Sequence, residues 1–294
     1  FGFGGAFLHL LNHAVLKGSL FLCAGSVFKS TGLLNMDLLG GLLKRMPWTG
    51  TVFTFSSLSI SGLPPFNGFL GEFLIYMAAV SGIANGSGAL FAMSLASVIV
   101  LALVGGFAAG AFTKAVGGVF LGEPRSREAA DAHEVSCSMK WATGALFLLS
   151  ILLTAAAPRL IECALPVQFS GEGGEIPAEC VFVLRRVGVF SLILVGLCAG
   201  LLVLRFRLFP QGRCSRVSPT WDCGYRYPSA RMEYTGTAFM QPVTEFFAGI
   251  LRPQTAVQEP EGDFPDKASY EERIEDDGLR FLWQPVFRNF ALLA

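Results

Sequence analysis

Five stretches of the sequence, near residues 3–28, 49–80, 89–112, 141–160 and 183–204, are apolar for long enough to cross a bilayer. A helix needs about 20 residues to span roughly 30 Å of hydrocarbon, where backbone amides find no water to bond. Each stretch is therefore expected to be a helix. The fold class that follows is all-α: a polytopic transmembrane helical bundle of about five spans.

The second stretch is longer than one crossing needs and is interrupted by Gly62, Pro64, Pro65, Gly68 and Gly71. Proline removes a backbone N–H and clashes with the preceding turn, so a discontinuous helix broken in mid-membrane is expected. The backbone groups freed at that depth must find protein or water.

Charge locates a boundary. Residues 1–209 hold 13 Lys/Arg and 10 Asp/Glu, whereas residues 210–294, less than half as many, hold 9 and 12. The expectation is a transmembrane bundle over 1–209 and a polar, partly helical tail over 210–294. The tail has a Pro-rich linker, an acidic run over 259–278 (EPEGDFPDKASYEERIEDDG) that reads as solvated, and a last amphipathic stretch, GLRFLWQPVFRNFALLA. With 22 basic and 22 acidic residues over the whole chain, no bulk electrostatic argument for nucleic-acid binding remains.

Lys and Arg also set an orientation. The segment 29–48 carries Lys29, Lys44 and Arg45, and 113–140 carries Lys114, Arg125, Arg127 and Lys140, while 81–88 has none and 161–182 has only acids. Arg205, Arg207, Arg213 and Arg216 follow the last span. This alternation runs the first span from outside to inside and leaves the tail cytoplasmic. Arg159, Arg185 and Arg186 lie on the other side, near helix ends from which long side chains reach the interface.

The first span holds His9, His13 and Lys17 at i, i+4 and i+8, a spacing that stacks them along one helix face. Ionisable groups at this depth mark proton or ion pathways, and histidine titrates near neutrality. Two other readings stay open. His-x-x-x-His is also a helical zinc spacing, though no third ligand is near; and core histidines with a snorkelling lysine would give the same pattern. Glu72 follows the Pro64–Pro65 break, where a carboxylate can alternately take up and release a proton, or can serve as a helix-end acid. Lys114, at the end of the third span, is a further ionisable candidate or a snorkelling residue. The seven cysteines form no C-x-x-C pair and no phosphate-binding glycine loop is present, so no cofactor is expected on this chain and ATP-driven transport is excluded.

These residues carry a resemblance. FLHLLNHAVLKGSLFLCAGSV resembles the histidine- and lysine-bearing helix of the antiporter-like subunits shared by respiratory complex I, Mrp-type sodium/proton antiporters and membrane-bound [NiFe] hydrogenases. SLSISGLPPFNGFLGEFLIY resembles the discontinuous helix that follows it in that family. FTKAVGGVFLGEPRSREAADAHE and PTWDCGYRYPSARMEYTGTAFMQPV are similar to the large-membrane-subunit branch of formate hydrogenlyase and hydrogenase-4 component B.

The resemblance implies that His9, His13 and Lys17 belong to a central hydrophilic axis, that Glu72 is the terminal group near the outward exit, and that Lys114 matches a branch lysine. It implies proton translocation by a non-catalytic subunit of an oxidoreductase complex. Its partners would be other membrane subunits and a peripheral hydrogenase-type arm bearing the [NiFe] centre and iron–sulfur clusters. An Mrp-type or complex I subunit and a non-pumping anchor are the alternatives, with Na+ the alternative ion to H+. Family members carry two five-helix bundles, so the sequence, which starts without Met inside an apolar run, reads as the C-terminal part of such a subunit.

Overall fold

The computed structural model describes residues 1–168, 178–208, 229–258, 269–274 and 284. Among these the chain forms α1 (Gly2–Thr31), α2 (Leu42–Arg45), α3 (Pro47–Ile60), α4 (Asn67–Asn85), α5 (Ala89–Ala115), α6 (Arg127–Ala130), α7 (Cys137–Gln168), α8 (Ala178–Leu208), α9 (Gly236–Phe246) and α10 (Ala248–Leu251). Five described helices are long and apolar enough to cross a membrane: α1, α4, α5 with its continuation, α7 and α8. The chain is thus a multi-pass, all-α membrane protein.

Two units are distinguished, Phe1–Glu233 and Tyr234–Ala294. The boundary expected at 209/210 lies outside the described residues, as does the amphipathic stretch 278–294 apart from Gln284.

In the first unit α1 is the central element, packed against α3, α4 and α7. It runs without proline until Gly32, whose left-handed φ of 72° ends it with an N–H bond to Phe28 O of 2.7 Å. Its buried stripe is rich in small residues, among them Gly4, Gly5, Ser19, Cys23 and Ser26. Lipid is as apolar as leucine, so helices in a membrane associate by close packing, which small residues permit. The approach of α1 to α4 is close: a Cβ at Gly71 would lie 2.7 to 2.9 Å from the backbone N, Cα and Cβ of His9. By contrast α5 and α8 present Leu, Ile, Val and Phe outward along most of their length, as lipid-facing helices do.

The interrupted span is two separate helices, α3 and α4, joined by Ser61–Phe66 with a cis bond between Pro64 and Pro65. The 14 residues of α3 carry the chain about 21 Å inward before the break. Its N–H groups are fully accounted for. Ser61 donates to Ser57 O (3.1 Å), Gly62 to Ser59 O (3.1 Å), Leu63 to Leu58 O (3.4 Å) and Phe66 to Leu63 O (3.1 Å), and the two prolines have none to place.

One end of the bundle is a lattice of loops. Segments 29–48 and 113–140, which share the Lys/Arg signal, meet there as the alternation requires. Lys44 Nζ lies 2.8 Å from Glu123 Oε1, Arg45 Nε donates to Ala130 O at 2.7 Å, and Ser30 Oγ donates to His133 O at 2.7 Å. Glu134 caps α3, accepting from Trp48 N at 2.8 Å and Thr49 Oγ1 at 2.6 Å. Arg125, its side chain 8% exposed, donates to Leu39 O (2.7 Å) and Gly118 O (2.8 Å) and lies 3.8 Å from Glu233. Both oxygens of Glu233 accept from Glu123 N at 3.1 Å, and its carboxylate fills the space a Cβ would take at Gly122, whose φ is +74°. Below this lattice Val116–Phe120 forms a π-helical turn whose Phe120 packs 5.0 Å from Phe53.

At the other end Arg185 pairs with Glu162 at 3.2 Å and Arg186 lies 4.9 Å over the Phe182 ring, so these arginines are held by neighbours. Helices α7 and α8 also run past the expected limits of 141–160 and 183–204, because a helix satisfies its own backbone and need not stop where the apolar run does.

The second unit starts α9 with Thr235 Oγ1 accepting from Ala238 N at 3.2 Å. In it the strands β1 (Gln254–Gln258) and β2 (Ser269–Arg273) pair antiparallel with Ala256 opposite Glu271. Part of the acidic run read as solvated linker is therefore a strand. Its partner QTAVQ has β-branched Thr255 and Val257 to favour the pairing.

Gly71→Ala puts a methyl where the His9 backbone already lies. It is expected to lower the stability of the detergent-solubilised protein by about 1–3 kcal/mol, read as a lower unfolding temperature. An unchanged midpoint would mean that α1 and α4 do not approach this closely.

Candidate functional site

The α1–α4 contact and the break together build one polar site. His9, Asn12, His13 and Leu16 from α1 line a small cavity with Ile60 from the end of α3 and Gly68 and Glu72 from the start of α4. Its volume, about 10 Å³, is that of a single water. The two imidazoles stack along α1 with ring centroids 5.7 Å apart and planes tilted by 31°. His9 Nδ1 is buried and has no hydrogen-bond partner among the described residues.

Glu72 reaches back toward the break. Its carboxylate lies directly over Gly62, so that a Cβ there would overlap Oε2, and Gly62 holds a φ of +68°. Only glycine meets both conditions at no cost: no side chain in the way, and a left-handed backbone. The glycine that breaks the helix is thus also the floor on which the acid rests.

A hydrogen-bond network fastens the end of α3 and the start of α4 to the middle of α1 around the cavity. Asn12 Nδ2 donates to Asn67 O at 2.8 Å, and Asn67 Nδ2 donates back to Asn12 Oδ1 at 3.1 Å. Ser59 Oγ donates to Asn67 Oδ1 at 2.5 Å. Gly68 approaches the Ser59 carbonyl so closely that no Cβ fits between them. Nearer the loop end, Ser19 and Ser56 share a hydrogen bond of 3.0 Å.

The structure therefore brings together His9, His13 and Glu72 of the residues singled out from sequence. Lys17 continues the same face of α1 but is exposed and does not line the cavity. Lys114 stands apart in the last turn of α5, half-buried, next to the π-helical turn. Among the described residues no three His, Cys, Asp or Glu side chains converge as a metal centre requires. Sequence reasoning missed Asn12, Asn67, Ser59 and the seat at Gly62. A signal was present: two amides within apolar runs, one between the histidines and one two residues after the prolines, at positions where an unpaired amide would be costly.

A helical bundle in which a broken helix and a histidine-bearing span line one cavity is thus the setting of the site. Residues 1–105 match the family described as NADH:quinone oxidoreductase/Mrp antiporter, TM. It is similar to hydrogenase-4 component B of Escherichia coli (strain K12), with 31% identity over 261 residues that cover 85% of this chain and 39% of that protein. It is likewise similar to formate hydrogenlyase subunit 3 of the same organism, 31% identical over 257 residues, or 85% of this chain and 40% of the relative. The chain thus spans about two-fifths of the length of these curated relatives. Among solved structures its fold matches a chain of the membrane-bound sulfane sulfur reductase, an archaeal respiratory membrane complex, with a TM-score of 0.60. That match covers 98% of this chain and 43% of the other at 20% identity.

Gly62→Ala is expected to cost about 1–3 kcal/mol from strain and overlap, measured by thermal unfolding. Adding Glu72→Ala should restore part of it, because the overlap goes with the carboxylate. Equal losses with and without Glu72 would assign the whole effect to the backbone at residue 62.

Proposed function

We propose that this chain is the proton-translocating, antiporter-like membrane subunit of a membrane-bound [NiFe] hydrogenase or formate hydrogenlyase-type complex. The observation that carries the reading is the cavity at the helix break, where two histidines and a carboxylate from different helices face one another. Protons pass along His9, His13 and Lys17 and leave past Glu72. An imidazole can both take up and give up a proton, and the carboxylate lines the same cavity, which has room for one water. Lys114 is an additional ionisable group of this subunit.

The chain is the transport module, not the redox enzyme. Electron transfer in a peripheral hydrogenase-type arm, which carries the [NiFe] centre and iron–sulfur clusters, changes the field or hydration at one end of the line of ionisable groups. The likeness to hydrogenase-4 component B supports this branch, because it covers 85% of the chain and so extends well beyond the matched family segment. The subunit sits with other membrane subunits in the inner membrane, its tail on the cytoplasmic side. The meeting of the two Lys/Arg-bearing loops and Glu233 at one end of the bundle supports that orientation.

Glu72→Gln and Lys17→Ala, made in the intact subunit, are expected to reduce proton translocation by reconstituted complex while leaving the co-purifying subunits unchanged. Normal pumping by both variants would refute the pathway, and loss of assembly would favour a structural anchor. The metal content of the purified complex tests the branch. Nickel with iron is expected; iron and flavin without nickel would place the chain in a complex I-like enzyme, and no metal in an Mrp-type antiporter.

A further inference from the structure

Asn12 stands on α1 between His9 and His13 and lines the cavity they share with Glu72. Asn12, Asn67 and Ser59 are each 2% exposed. Their bonds have a definite direction. Asn12 donates a hydrogen bond to the Asn67 main-chain carbonyl and accepts one from the Asn67 side-chain amide, while the Asn67 side-chain oxygen accepts from Ser59.

An amide of this kind neither gains nor loses a proton in the range where histidines and carboxylates titrate. The network holds, therefore, and does not relay. What it holds is specific. Asn12 lies within one turn of both histidines, and Asn67 opens the helix whose second turn carries Glu72. The Asn12–Asn67 pair is the cross-link between the element that bears the histidines and the element that bears the acid.

We propose that Asn12 is a positioning residue: by pairing reciprocally with Asn67 it fixes the gap across which His9 and His13 face Glu72, and it passes no proton itself. This rests on the proton-transfer reading given above and adds to it the part that sets the geometry. The titratable groups lining the cavity are His9 and His13 from α1 and Glu72 from α4; α3 contributes only Ile60, and α7, which also packs on α1, contributes none.

The test uses the intact membrane complex with Asn12→Leu, Asn12→Asp and, in parallel, Glu72→Gln, reading proton translocation against pH together with subunit composition. Asn12→Leu removes both bonds at similar volume and is expected to lower translocation at least about tenfold, since small misplacements of reacting groups carry losses of that order. Asn12→Asp discriminates further. A protonated aspartic acid offers the same donor and acceptor as the amide, whereas the ionised form loses the donor and sets a charge against the Asn67 carbonyl. This variant should approach the wild-type rate at acidic pH and fall away as the pH rises, a limb absent from wild type.

Asn12→Leu with the wild-type rate and pH profile overturns the proposal. So does Asn12→Asp translocating at or above the wild-type rate throughout, which would make position 12 a relay. If Asn12→Leu fails to assemble, the acid limb of Asn12→Asp decides: its presence supports positioning and its absence refutes it. Normal translocation by Glu72→Gln takes Glu72 out of the pathway and this proposal with it, whereas an inactive Glu72→Gln beside a normal Asn12→Leu removes only the role of Asn12.

Discussion

A break in a helix inside a membrane is tolerable only when every backbone group it frees finds a partner, and the first unit is organised around meeting that demand. The four N–H groups from Ser61 to Phe66 bond within the break or to the last turn of α3, and the prolines bring none. Just past the break, Asn67 is tied to Asn12 of α1 through both its carbonyl and its side-chain amide. The close approach of α1 and α4 leaves no room for a Cβ at Gly71. This polar pairing lies beside the cavity that His9 and His13 share with Glu72.

Close packing and polar pairing act on different scales here. The glycine contacts between α1 and α4 set the separation of two helix axes, while the asparagine pair sets their register along the bundle. Both are needed to hold Glu72 over Gly62 opposite the imidazoles. The outward helices α5 and α8 take little part and present apolar side chains to lipid.

Much of this could be read from the sequence, and the reasons are physical. Apolar length gave the spans because hydrocarbon thickness is fixed. Glycine and proline gave the break, and ionisable residues in an apolar run gave His9, His13 and Glu72, since each is costly where it stands. The distribution of Lys and Arg anticipated which loops meet at one end. Groups that do not titrate were harder to see: Asn12, Asn67 and Ser59 cost little in sequence terms and gain their meaning only from partners 55 or 8 residues away. The loop lattice was hidden for the same reason, because nothing local in GEPR announces a carboxylate from residue 233. The strand at 269–273 escaped because its charge masked a backbone pairing that depends on its partner.

Glu233 reaches Glu123 across 110 positions of chain. In a polypeptide that emerges from the ribosome in order, the loop that holds Arg125 is made, and its arginine bonded to Leu39 and Gly118, long before the carboxylate that seats over Gly122 exists. The closing contact of the bundle's loop end is therefore made by one of the last residues of the unit to be synthesised. That contact forms only after the five described helices long and apolar enough to cross a membrane have been made, so the loop end of this unit is completed late in synthesis.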